Sequence, residues 1–204
     1  MLNTAEFLRQ VLGLEDSALL AEAETVCRIK TVRKDEYLIE QGQLQEEVFL
    51  LVDGICRGFF VNERGQDITD CLVTRCGMPL MASGDLSIPA PIAIQALTNS
   101  QVFCMPTAEL CRLIDKYPAL LALYCRFVQV SAEYHRQMKV LVYQYSALQR
   151  YRWFLQEYPG ILDRVSHRHI ASFLNMTPVT LSRLVNRPEE EDGGPEEFHL
   201  YGEA

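Results

Sequence analysis

The sequence predicts an α+β chain: an N-terminal antiparallel β-roll, one long helix, and a C-terminal helix-turn-helix. Three observations carry this expectation. Between Cys27 and about Met105, short apolar runs alternate with turn residues at regular spacing, the pattern of a compact roll of jelly-roll type. From Pro118 to about Leu148 a helical pattern runs without internal breaks, roughly 46 Å at the usual rise per residue. Finally, Ser166 to Arg187, reading SHRHIASFLNMTPVTLSRLVNR, has the shape of two short helices joined by a turn too tight to be a spacer.

Composition sets the bounds. A chain of 204 residues that is 49% apolar is long enough to bury a real core. No apolar run approaches the roughly 18 residues needed to span a bilayer. The start, MLNTAEFLRQVLGL, has an early acidic residue and no small-residue cleavage site, so it reads as an amphipathic helix of a cytoplasmic protein. The seven cysteines are odd in number, and the close pair Cys71 and Cys76 lacks the spacing of a metal knuckle. Reduced structural thiols are expected, with no metal and no cofactor.

Within the roll, "YLIEQG" ends at Gly42 and "EEVFLLVDG" at the turn pair Asp53-Gly54. "CRGFFVNERGQDITDCLV" carries a hairpin tip at Asn62 to Gly65, and "PIAIQALTNSQVFCM" holds two more strands around Thr98-Asn99-Ser100. Residues 1–117 are therefore assigned to the roll and its flanking helices. The long helix, 118–148, bears a stripe of Leu120, Tyr124, Phe127, Ser131, Tyr134, Met138, Leu141, Tyr145 and Leu148 at alternating spacings of four and three. That heptad seam predicts a homodimer.

The helix pair lies in 149–187. Ser166 is placed to cap the first helix, whose inward side is Ile170, Phe173 and Leu174, with Ala171 small at the crossing. Asn175 tolerates the left-handed turn between the helices. Thr177 caps the second helix and Pro178 takes its first position. Leu181, Leu184 and Val185 then face inward, leaving Val179, Thr180, Ser182, Arg183 and Arg187 outward, the layout of a helix offered to a DNA major groove. The net charge of −8 is unevenly spread. Ser146 to Arg187 holds six arginines against Glu157 and Asp163, a balance of +4, while 188–204 holds seven acidic residues and no basic one. That tail, PEEEDGGPEEFHLYGEA, is expected to be mobile.

The order of parts resembles the Crp/Fnr family, the cyclic-AMP-receptor-like bacterial transcription regulators. In the roll the resemblance rests on "KDEYLIEQG", "EEVFLLVDGICRGFFVNERGQDIT" and "GDL" at Gly84 to Leu86, and in the helix pair on "HIASFLNMTPVTLSRL". It implies a cyclic-nucleotide-binding-like roll and a homodimeric regulator of transcription. Its expected partners are double-stranded DNA with a palindromic operator, a second copy of the chain and RNA polymerase, with no membrane. Arg183 matches the recognition-helix arginine that reads a guanine, a bidentate contact suited to a planar guanidinium. Thr177, Thr180, Ser182, Ser166 and Arg168 would hold phosphates or sugar edges, and Val179 would meet a thymine methyl.

The chain also departs from the family. Binders of cyclic nucleotides use a Gly-Glu pair and an Arg-Ser pair; here Gly84-Asp85, after Ser83, stands for the first and Ala90-Pro91 for the second. No arginine lies between Arg75 and Arg112, so the pocket is expected to take an effector other than cyclic AMP. His135, His167 and His169 read as solvated surface. Gly160 to Val165 is too short for the family's hairpin wing, and only "EFHLY" remains to supply one. Phosphate loop, nucleophile elbow and paired His/carboxylate motifs are all missing, so no catalytic residue is assigned and no enzyme is expected. The competing reading is a dimeric roll that senses a ligand and acts through a protein partner without DNA.

Overall fold

The computed structural model describes residues 2–187. Asn3 and Glu6 cap helix α1 (Thr4–Glu6) reciprocally, and it runs into one π turn at Phe7–Val11. Asp16 then caps α2 (Ser17–Val26) by accepting from the Ala18 and Leu19 amides. Seven strands follow: β1 (Arg28–Val32), β2 (Tyr37–Ile39), β3 (Glu47–Asp53), β4 (Cys56–Val61), β5 (Asp67–Val73), β6 (Ala93–Ala96) and β7 (Ser100–Pro106). They pair antiparallel in two sheets, β1-β7-β3 and β2-β6-β4-β5. Val32, Leu51, Val102 and Cys104 from one sheet meet Ile39, Cys56, Ile94 and Ala96 from the other, which is the roll core.

The turns fall where the sequence put them. At Asp53-Gly54 the glycine has φ +107°, and a Cβ there would lie 2.2 Å from Ser100 Oγ, so only glycine fits. Asn62 closes the next hairpin by accepting from the Arg64 and Gln66 amides, each at 3.0 Å. Between β4 and β5 the register slips at Gly58/Phe59, where Cys71 and Thr69 are the partners and Asp70 is the extra residue. The bulge sits on the edge strand of its sheet.

After α3 (Thr107–Lys116), α4 (Pro118–Gln144) begins with proline at its first position and spans 27 residues, about 40 Å. It stops four residues short of the expected Leu148. Tyr145 turns extended (φ −106°, ψ 141°), and Ser146 opens α5 (Ala147–Glu157) through a capping box with Gln149. Leu148 therefore belongs to α5, not to the stripe.

The stripe itself is used within the chain. Leu120, with Tyr124 and Phe127 beside it, packs on α2, α3 and the outer face of the first sheet. Met138 and Leu141, with Tyr134 and Tyr145, join a second cluster built on Phe154, Ile170, Phe173 and Leu181. Spacings of four and three arise equally from a helix laid along its own domain, so the heptad pattern does not by itself mark a seam. Leu141 is fully buried where α4 meets the C-terminal helices. Leu141→Ala is expected to cost about 2–5 kcal/mol in urea unfolding followed by circular dichroism.

Candidate nucleic-acid interface and effector pocket

Past Gly160 (φ 72°) a single 3₁₀ turn, Ile161–Asp163, leads to α6 (His167–Phe173) and α7 (Pro178–Val185). Ser166 caps α6, accepting from the Arg168 amide, and Asn175 takes φ 50° at the turn. Thr177 caps α7 by accepting from the Thr180 amide at 3.1 Å, and the two threonine hydroxyls lie 2.9 Å apart. Ile170, Ala171, Phe173, Leu174 and Leu181 are buried together, with Leu184 and Val185 packed beside them. The helix pair is thus fixed by local caps and one shared core.

What faces outward is what a reading helix would present. Val179 is 60% exposed, and Ser182 and Arg183 are exposed on α7 with Thr180 partly covered; Arg187 is exposed just past its end. Arg168 is exposed on α6, while Ser166 and Thr177 also offer hydroxyls at the helix starts. Arg150, counted above toward the basic balance, has a different task. It donates to the carbonyls of Tyr145 (2.8 Å), Leu174 (2.8 Å) and Asn175 (3.1 Å), clamping the turn of the helix pair to the end of α4. No strand occurs between α5 and α6; "EFHLY" and the acidic tail lie outside the described residues.

The effector positions divide. Ser83, Gly84 and Pro91 line a cavity of about 350 Å³ between β5, the 78–84 segment, α4 and the end of α5. Asp85 is turned elsewhere: it accepts from the Ser87 amide (2.9 Å) and hydroxyl (2.6 Å), which hold its carboxyl below the usual range. Ala90 is buried in the roll core, its backbone bonded to Gly42 and Gln43. Neither is a cavity residue, because the Ser87 turn and the Gln43 pairing take them out of reach. The walls are instead Leu72, Met78, Met81, Ile92, Val130 and Tyr134, with Tyr158 of α5 bonded to Tyr134 through their hydroxyls at 3.2 Å.

Two basic residues border the cavity that the sequence did not reveal. Arg75 pairs with Glu157 of α5. His135 places Nε2 2.8 Å from Asp70 and Nδ1 2.7 Å from the Ser131 carbonyl. Both nitrogens face acceptors, so the ring is satisfied only when protonated, and the Asp70 bond raises its pKa. His135 is therefore not idle surface.

Nor is His169. Its Nδ1 lies 2.8 Å from Nη1 of Arg57, a guanidinium only 3% exposed. Arg57 also donates to both carboxylate oxygens of Asp67 (2.6 and 2.7 Å) and to Oε1 of Gln95 (3.0 and 2.8 Å). Its plane stacks on Phe59 at 3.9 Å. Ser172 adds a second link, its Oγ accepting from the Thr69 amide (2.9 Å) and donating to the Asp67 carbonyl (3.2 Å). The first helix of the pair is thereby seated on edge strand β5.

No family model matches the chain, and no curated protein does. Solved structures do match in fold. FixK2 from Bradyrhizobium japonicum aligns with a TM-score of 0.69 at 20% identity, over 78% of this chain and 83% of that one. CLP, the c-di-GMP-responsive global regulator that links cell–cell signalling to virulence gene expression in Xanthomonas campestris, gives 0.64 at 10% identity, over 83% and 90%. A CooA mutant from Carboxydothermus hydrogenoformans gives 0.55 at 19% identity, over 88% and 82%. The chain thus shares its fold with these proteins, the fold that the sequence resemblance implied.

The thiols offer a check on this arrangement. Burial pushes Cys27, Cys56 and Cys71 up to about 12, whereas Cys76, Cys111 and Cys125 are exposed. Alkylation of the native protein at pH 8, read by mass spectrometry, should modify Cys76 and Cys111 within minutes. Cys27, Cys56 and Cys104, which are buried, should wait for unfolding.

Proposed function

We propose that this chain is a Crp/Fnr-type transcription regulator that binds DNA as a homodimer through α7. The observation that carries the reading is the outward face of α7. Val179, Ser182 and Arg183 project from a helix whose opposite side, Leu181 with Leu184 and Val185, is held by its own core, and Arg187 follows just past its end. Arg183 is the base-reading residue; Thr177, Thr180, Ser182, Ser166, Arg168 and Arg187 hold the backbone and set the register. RNA polymerase is a further partner of such a regulator. The rival reading, a dimeric sensor that meets a protein instead of DNA, would make the same face a docking surface.

The dimer face proposed for α4 lies beside the stripe. Leu121 is 45% exposed, and Cys125 and Ala132 are exposed with Val128 between them. The four follow spacings of four, three and four, and two of them are small enough to let a second helix approach. Leu120, Tyr124, Phe127, Tyr134, Met138, Leu141 and Tyr145 then support that face from behind, because they anchor α4 to its own domain. Leu121→Glu with Ala132→Glu should yield monomers in sedimentation velocity; dimers of undiminished strength would place the contact elsewhere.

The effector site is the cavity that Ser83, Gly84 and Pro91 help to line. Its walls are mostly apolar, and the basic residues on its border, Arg75 and His135, are each already paired with a carboxylate, Glu157 and Asp70. A cyclic phosphate would find no unpaired cation, so calorimetric titration with cyclic AMP should show no site of micromolar strength.

A mobility shift on fragments of the upstream region, at stated salt, tests DNA binding itself. Arg183→Ala should cost about 1–3 kcal/mol on the specific site and relax preference at one base pair, leaving random DNA almost unaffected. Arg168→Ala should weaken all sequences evenly and reduce the salt slope. Binding by the native protein that Arg183→Ala leaves unchanged would move the reading head off α7.

A further inference from the structure

The contact between α6 and β5 is polar and half-buried, and it joins parts of the chain that are far apart in sequence. His169 and Arg57 are separated by 112 residues, and Ser172 and Thr69 by 103. Arg57 stays inside the roll whatever α6 does, since Asp67, Gln95 and Phe59 hold it. His169 and Ser172 are the visitors. We infer that this contact is a proton-sensitive latch: it seats the helix pair on the edge of the roll, and protonation of His169 loosens it.

The hydrogen-bond roles follow from the residue types. A guanidinium can only donate, so Nδ1 of His169 must carry the lone pair and the ring hydrogen must sit on Nε2. A proton added at Nδ1 removes that acceptor and places a second positive charge 2.8 Å from the first. Burial, then the charge of Arg57, lowers the pKa of His169 in the seated state. The other groups facing it are Asp67 on β5 and Asp35 before β2, which favour the proton, and Arg168 on α6, which opposes it. Asp67 is already engaged by both amino groups of Arg57, so its charge is largely spent. His135, the other histidine near β5, has the opposite preference, because its Asp70 bond is made by the protonated ring.

The seated state therefore binds fewer protons than the released one. Seating is fullest above the free histidine value of about 6.5 and weakens as pH falls below it. Ser172 supplies the readout. Thr69 is on an edge strand, and its amide is bonded to Ser172 Oγ, so its exchange with solvent reports the latch directly. An apolar contact backs the latch, since Ile55, Leu72 and Leu97 of the roll share the cluster of Phe154 and Phe173. Mild acid thus shifts a population and does not detach the unit. That this moves a DNA-reading head rests on the function proposed above; the latch itself does not.

Amide exchange of the full chain, followed by NMR or by mass spectrometry at peptide resolution, tests it without DNA. After correction for intrinsic rates, Thr69 protection should fall up to about tenfold from pH 7.5 to pH 5.5, with amides in the centre of β7 unchanged. His169→Gln, which keeps a neutral acceptor, should abolish the pH dependence. Ser172→Ala should lower Thr69 protection at both pH values while the β7 amides hold. Protection of Thr69 that is flat across this range in the native chain would overturn the inference. So would a fall of the same size in His169→Gln, since another group would then be the proton's target.

Discussion

A charge that cannot leave the interior organises this molecule. Arg57 is almost wholly covered, and a buried cation is tolerated only when its donors are filled and a counter-charge is close. Asp67 supplies the charge, Gln95 the bonds across to β6, and Phe59 the stacking surface. The last donor direction points out of the roll, toward α6, and His169 meets it. Satisfying that one group ties β4 to β5 and β6 through side chains and gives the helix pair its seat.

The two histidines on either side of β5 show how environment, not residue type, sets behaviour. His135 lies between a carboxylate and a carbonyl, which favour its protonated form. His169 lies against a guanidinium and is held neutral. β5 addresses the helix pair through Asp67 and Thr69 and the long helix through Asp70, the residue at its bulge.

Much of the fold was legible because its signals are local. Ser166, Asn175, Thr177 and Pro178 each act within a few residues of themselves, so caps and turn could be placed from the sequence. The turns at Asp53-Gly54 and Asn62 were readable for the same reason. The stripe on α4 was visible but its partner was not. Leu120, Met138 and Leu141 repeat as a coiled coil does, yet they meet α2, α5 and α6, and spacing says nothing about which surface lies opposite. The effector pocket was the least legible part. Ser83, Gly84 and Pro91 reach the cavity while Asp85 and Ala90 do not, and Arg75 and His135 border it from segments that no motif connects. Contacts across 65 and 82 residues leave no periodic trace.

The shared cluster of Ile55, Leu72 and Leu97 with Phe154, Ile170 and Phe173 has a consequence for how such a chain can be recombined. The helix pair does not close its own core; part of its wall is the outside of the roll. Cut away, it would expose that wall, and grafted onto another roll it would meet the wrong one. Sensor and reading head are therefore not interchangeable cassettes here, and a change on either side of the wall has to be matched on the other.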